Sequence, residues 1–118
     1  MEDKMYPGSS WDLHRQRNEL APNPAAAFKA FSESVFADGA LSSKTKDLIA
    51  VAVAHVTQCP YCIRGHTASA MRKGATQEEV MEAIWVAAEM RAGGAYAHSN
   101  LALDTMNQVA ATKGGQAT

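Results

Sequence analysis

Leu48-Ile49-Ala50-Val51-Ala52-Val53-Ala54-His55-Val56 is the stretch that decides the fold. Wound as an α-helix, it is apolar on nearly every side, and such a helix is covered all round, inside a domain or between subunits. Ser42 stands just upstream as the N-cap residue, so the helix is expected to start there. Downstream, Cys59-Pro60 reads as a second start signal, because proline is favoured at the first helical position. That helix is expected to run to Lys73 and to end at Gly74. Thr76 and Glu79 then have the spacing of a capping box.

The same reading extends over the rest of the chain. Asn23-Pro24 is expected to cap a helix carrying Phe28, Phe31 and Val35 at helical spacing and closing at Gly39. Val80, Ala83, Ile84, Ala87 and Ala88 mark another helix, expected to stop at Gly93-Gly94. Leu101, Leu103, Met106 and Val109 mark a last one. Residues 1–22 contain Pro7, Gly8 and Pro22 and are expected to form an irregular arm with a short helix near Asp12 to Arg17. Residues 23–113 are expected to form the helical domain, and the small polar residues 114–118 a frayed tail.

Composition agrees with an all-α domain of about five to six helices. The 118 residues include 23 Ala but only 7 Val and 3 Ile, and alanine is the best helix former while the β-branched pair favour strands. Eleven basic against twelve acidic residues leave a net charge of −1, which gives nucleic acid or an anionic membrane no electrostatic purchase. Hydrophobic residues make up 47%, too many for a disordered tail. The N-terminus shows no apolar core of the roughly 7–15 residues that a secretory signal carries. A cytoplasmic protein is therefore expected. There, paired cysteines more often do redox or metal chemistry than stapling.

Cys59-Pro60-Tyr61-Cys62 is such a pair, and His66 follows four residues after Cys62. At the first turn of a helix both sulfurs lie near unpaired N–H groups and the positive end of the dipole, which favours thiolate. His66 shares a helix face with Cys62 and can act as its base. Three chemistries compete for these residues. Covalent haem attachment needs histidine directly after the second cysteine, where Ile63 stands, and is excluded. Glutaredoxins carry the same tetrapeptide, but their fold needs strands and a later cis-proline, and no proline follows Pro60. Zinc remains a third reading, with Cys59, Cys62 and His66 as ligands and His55 or His98 as a fourth.

From about Leu41 to His98 the chain resembles the carboxymuconolactone decarboxylase/AhpD-like family. The resemblance rests on Leu41 to Ala50, on Cys59-Pro60-Tyr61-Cys62 with His66, on Lys73-Gly74-Ala75-Thr76 with Glu78-Glu79, and on the Ala-Gly-Gly run ending in His98. It implies an all-helical fold whose protomers intertwine as trimers or hexamers. The branch with C-x-x-C resembles alkylhydroperoxidase D, which reduces hydroperoxides; the muconolactone-decarboxylating branch lacks the cysteine pair. By that resemblance Cys62 is the peroxide-reactive cysteine, Cys59 the resolving one and His66 the proton relay. The residues themselves also allow the two cysteines to exchange roles, since the N-cap position favours a low pKa for Cys59 and the i, i+4 histidine favours Cys62. The family's relay glutamate falls on Asp47, a methylene shorter, so a water bridge to His66 is the alternative to direct contact. Tyr61 stands where some members carry histidine; it can donate a hydrogen bond but is a poor base at neutral pH.

These observations make a hydroperoxide and an external dithiol the expected partners, with no cofactor and no metal. Two other functions stay open: a protein disulfide reductase or redox sensor, and a non-catalytic helical oligomer that binds a small ligand or zinc. Several residues also have plainer roles. An aspartate early in a helix is favoured by the dipole alone, and Arg72-Lys73 is an ordinary charge pair at a helix C-terminus. Tyr61, His55, His98, Trp85 and Met90 can each be packing residues.

Overall fold

The computed structural model describes residues 5–7 and 11–114; the segments 1–4, 8–10 and 115–118, including nearly all of the expected frayed tail, lie outside the described residues. It contains five helices: α1 (Trp11–Leu20), α2 (Pro22–Phe36), α3 (Ser43–Thr57), α4 (Pro60–Arg72) and α5 (Gln77–Gly114). No strand occurs among the described residues.

The start signals around the centre act as read. Ser42 Oγ accepts from the Thr45 amide at 3.1 Å. Cys59 is the N-cap of α4 with Pro60 directly behind it. Thr76 and Glu79 cap α5 reciprocally, Thr76 N–H donating to Glu79 Oε1 at 2.9 Å and Glu79 N–H to Thr76 Oγ1 at 3.1 Å. Between α3 and α4 the chain turns on Gln58, which holds the left-handed conformation at φ 60°. Gly74 has φ 97°, which glycine adopts without steric cost as the chain leaves α4.

Three elements differ from expectation. α1 is the short helix expected near Asp12 to Arg17, extended to ten residues. α2 starts on Pro22 with Ala21 as its cap, not on Asn23-Pro24: both prolines fit within the first turn, whose N–H groups have no helical partner in any case. The two helices expected on either side of Gly93-Gly94 are one 38-residue helix. Two glycines cost about 1 kcal/mol each against alanine inside a helix, and the alanine-rich flanks carry the helix across them.

The core is small and central. Val51, Ala70, Ala75 and Val80 are buried together, with Leu48 and Ile84 packed against them, so α3, α4 and the first turns of α5 enclose it. α3 buries one side, Asp47, Val51 and Ala54; Ile49, Val53 and Val56 on its other side stay about half exposed. Beyond Ala87, α5 has no buried residue. Asp47 is the buried charged residue among the described ones, 2% exposed against that core.

Candidate functional site

α3 and α4 meet along the site. Asp47 is the fifth residue of α3 and points at the face of α4 that carries His66, Ser69 and Lys73. Asp47 Oδ1 meets His66 Nδ1 at 3.1 Å. Its Oδ2 accepts from Ser69 Oγ at 2.6 Å and from Lys73 Nζ at 2.7 Å. The shorter carboxylate thus reaches the imidazole directly, with no water needed, because α3 and α4 pack closely around small residues such as Ala70. Helix-dipole placement is not what occupies Asp47; three side chains hold it. Burial pushes its pKa up more than any other single influence. The bonds from Lys73, Ser69 and His66, with the charge of Lys73, together outweigh that and leave it below the usual carboxylate value.

That arrangement fixes the tautomer of His66. The carboxylate accepts a hydrogen bond from Nδ1–H, so Nε2 is left as the basic nitrogen. Phe36 of α2 stacks on the ring, with centroids 4.9 Å apart and planes at 23°. His66 and Cys62 line one open groove of about 490 Å³, with Glu33 and Phe36 on its α2 wall. Among the described residues, no hydrogen bond joins His66 to either sulfur.

The sulfurs are free thiols, Cys62 exposed and Cys59 half-buried. As N-cap, Cys59 Sγ accepts from the Cys62 amide at 3.3 Å. The thiol of Cys62 lowers the Cys59 pKa further, the largest influence, ahead of the backbone N–H of Cys62 and against a smaller opposing effect of desolvation. Cys62 moves the opposite way: its bond to Cys59 raises it first, then burial and the charge of Cys59, with its own backbone N–H as the one opposing influence. Of the two influences expected on the pair, the N-cap effect on Cys59 is visible in the geometry. Of the two thiols, Cys59 is the more readily ionised.

Tyr61 lines the same groove, and its hydroxyl donates to the Pro7 carbonyl at 3.0 Å while its ring takes the edge of Tyr6 at 5.9 Å. Two of the candidate zinc ligands are elsewhere. His55 Nδ1 bonds the Val51 carbonyl and His98 Nδ1 the Gly94 carbonyl, contacts within their own helices. Among the described residues, no three His, Cys, Asp or Glu side chains gather as a metal site, so the zinc reading lacks a ligand set.

Sequence comparison agrees with this layout. Residues 22–105 match the model of the carboxymuconolactone decarboxylase family. The chain belongs to that family. Among curated relatives it is 68% identical over 83 residues to an uncharacterized protein of the cox locus of Paracoccus denitrificans, covering 70% of this chain and 75% of that protein. Among solved structures it is similar to a carboxymuconolactone decarboxylase family protein from Legionella pneumophila, with 35% identity, a TM-score of 0.62 and coverage of 67% and 73%. It is also similar to a family protein from Thermotoga maritima described as having a possible role in the antioxidative response. There the identity is 26% and the TM-score 0.55, over 76% of this chain and 93% of the other. The helical fold of this family is therefore the fold of the chain, and no helix among its described residues is long and apolar enough to cross a membrane.

Sequence reading brought Cys59, Cys62, His66 and Asp47 to one site but missed Lys73, Ser69 and Phe36. Lys73 was expected only as part of a charge pair at the end of α4. A signal was present nevertheless: Cys62, His66, Ser69 and Lys73 follow one another at four, three and four residues, which is a single face of one helix.

Proposed function

We propose that this protein is a thiol-dependent hydroperoxidase working through a Cys59/Cys62 dithiol–disulfide cycle. The observation that carries the reading is that Cys62, whose amide is bonded to the N-cap Cys59 Sγ, lines one open groove with the carboxylate-oriented imidazole of His66. His66 Nε2 takes the proton of the Cys62 thiol, and the thiolate attacks one oxygen of the hydroperoxide. The O–O bond breaks, the leaving alkoxide takes the proton back from the imidazolium, and an alcohol departs. Cys62 is now a sulfenic acid. Cys59, the sulfur more readily ionised, attacks it and expels water, closing the disulfide. An external dithiol then reduces that disulfide by exchange and is itself oxidised. The cycle suits the cytoplasm, where a reducing pool restores the thiols.

A related reading, protein disulfide reductase, is favoured by the place of Cys59 as the N-cap of α4, its Sγ accepting from the Cys62 amide, since helix N-termini favour the exchange-competent thiolate. The two are separated by adding one equivalent of hydrogen peroxide or an alkyl hydroperoxide to the reduced protein. Stoichiometric peroxide consumption and loss of two hydrogens, mapped to a Cys59–Cys62 disulfide by mass spectrometry, is the expected result. Thiols that survive peroxide but reduce a model disulfide would transfer the assignment to the reductase.

A further inference from the structure

Lys73 closes α4 at its C-cap, eleven residues from Cys62, and reaches back across the helix interface to α3. Its Nζ donates to Asp47 Oδ2 at 2.7 Å and to Ser43 Oγ at 2.5 Å. The amine is about a third exposed whereas the carboxylate is 2% exposed, so the pair is a buried anion held by a cation at the surface. A carboxylate so deeply buried is unstable without a permanent counter-charge, because burial alone favours the neutral acid. His66 cannot be that counter-charge and also serve as a proton acceptor: an imidazolium held by Asp47 has no free lone pair. Lys73 relieves this conflict.

We propose that Lys73, assisted by Ser69, is the positioning residue of the thiol relay: it holds the Asp47 carboxylate by Oδ2 and keeps Oδ1 turned to His66 Nδ1, so that Nε2 is left as the proton acceptor. This rests on the relay described above and adds to it a residue that touches neither sulfur nor substrate. Ser69 and Lys73 both load Oδ2, which leaves Oδ1 to the imidazole alone. The other titratable groups in the groove are Glu33 on α2 and Tyr61 and Cys62 on α4. Of the α3 cations, Lys44 is paired with Glu79 of α5 at 3.1 Å and Lys46 Nζ donates to the Ala37 carbonyl at 2.6 Å. None of these substitutes for Lys73 at Oδ2.

The test uses the full chain carrying Cys59→Ser, so that one thiol is read, with Lys73→Met, Lys73→Arg and Ser69→Ala added singly. Two readouts are needed: carbon-detected NMR titration of the Asp47 carboxyl, assigned by its loss in Asp47→Asn, and the pH dependence of Cys62 alkylation by iodoacetamide. Lys73→Met is expected to move the Asp47 titration upward and to slow alkylation severalfold at neutral pH, by less than His66→Ala does. Ser69→Ala should do the same to a smaller extent, and Lys73→Arg, which keeps the charge, should restore both toward the parent. A merely structural lysine would leave the pH dependence of Cys62 alkylation in place in every folded variant, even where the carboxyl titration moves, and that result overturns the proposal. So does a Lys73→Arg chain as impaired as Lys73→Met. If Lys73→Met does not fold, Lys73→Gln, which keeps a donor without the charge, is read in its place. Neither readout uses peroxide. A wild-type chain that consumes none overturns the hydroperoxidase and leaves the role of Lys73 to be decided by these two measurements.

Discussion

The Asp47 carboxylate meets His66, Ser69 and Lys73 at once, and substitutions at Asp47 and His66 separate base, orientation and stability. His66→Ala removes the base, and the peroxide rate is expected to fall by roughly 10²–10⁴-fold, the usual worth of acid–base assistance. Asp47→Asn should cost less activity, because the carboxylate acts through the imidazole, but it should also cost stability. It leaves donors on Ser69 and Lys73 poorly matched, at about 1–3 kcal/mol, toward the lower end because Lys73 can turn to water. Asp47→Glu restores the family's usual length, yet the direct 3.1 Å contact shows that no reach is missing. An added methylene in a site 2% exposed is overpacking, expected to cost about 1–3 kcal/mol, and urea unfolding measures it. The pH sign follows from the lowered pKa of Asp47. Its contribution is complete above the unfolded carboxyl value of about 4. It is lost as pH falls below that value through the folded one. Wild type should therefore lose Tm between pH 5 and pH 3 more steeply than Asp47→Asn; parallel curves would contradict the depressed carboxyl. For the thiols, Cys59 raises the pKa of Cys62 through its hydrogen bond first and its charge as well. Cys59→Ala should accordingly make Cys62 more acidic, read as faster alkylation by iodoacetamide at pH 7. Of these residues, the cysteines and His66 were legible because one helix carries them. Lys73 was not, because its partner is 26 positions away on α3 and only the packing of α3 on α4 joins them.

At the scale of elements, legibility follows how local the deciding forces are. Ser42, Cys59-Pro60, Gly74 and the Thr76/Glu79 box work within four residues and could be placed from the sequence. Gly93-Gly94 misled because glycine weakens a helix interior without ending it. Asn23-Pro24 misled because a second proline two residues earlier serves equally well. The box itself is testable. Lys44 reaches Glu79 Oε1 at 3.1 Å, and the backbone N–H of Thr76, followed by Lys44, holds the Glu79 carboxyl below its ordinary pKa. The box thus starts α5 and ties it to α3. Thr76→Ala is expected to destabilise the chain by about 1 kcal/mol, the usual cost of losing an N-cap, while leaving the pH profile of thiol alkylation unchanged. A shift in that profile would mean that the start of α5 positions the site as well as the core.

At the scale of the molecule, the chain is extended rather than compact. Its radius of gyration is 21.5 Å and its longest dimension 66 Å, whereas a compact domain of this length has a radius of about 13–14 Å. α5 alone spans about 57 Å at 1.5 Å per residue. Along it Trp85 is 69% exposed, Tyr96 83% and Leu101 65%, and on α2 Phe28 and Phe31 are equally uncovered. Apolar surface on this scale marks an interaction face. The continuous apolar helix α3, which the sequence placed inside a domain or between subunits, is in this chain covered on one side alone. We propose that neighbouring copies seal α2 and the far half of α5, in the homotrimer or homohexamer of intertwined protomers that the family resemblance implies. Light scattering at micromolar concentration should give three or six times 12.6 kDa. Leu101→Glu, a charge placed on that half of α5 some distance from the dithiol, should release smaller species and lower Tm, because burying an unpaired carboxylate costs several kcal/mol. A wild-type mass of 12.6 kDa, or a Leu101→Glu chain with unchanged mass and Tm, would show that this face of α5 is bare in solution. The exposed aromatic and aliphatic side chains of α5 would then need an occupant other than a second copy.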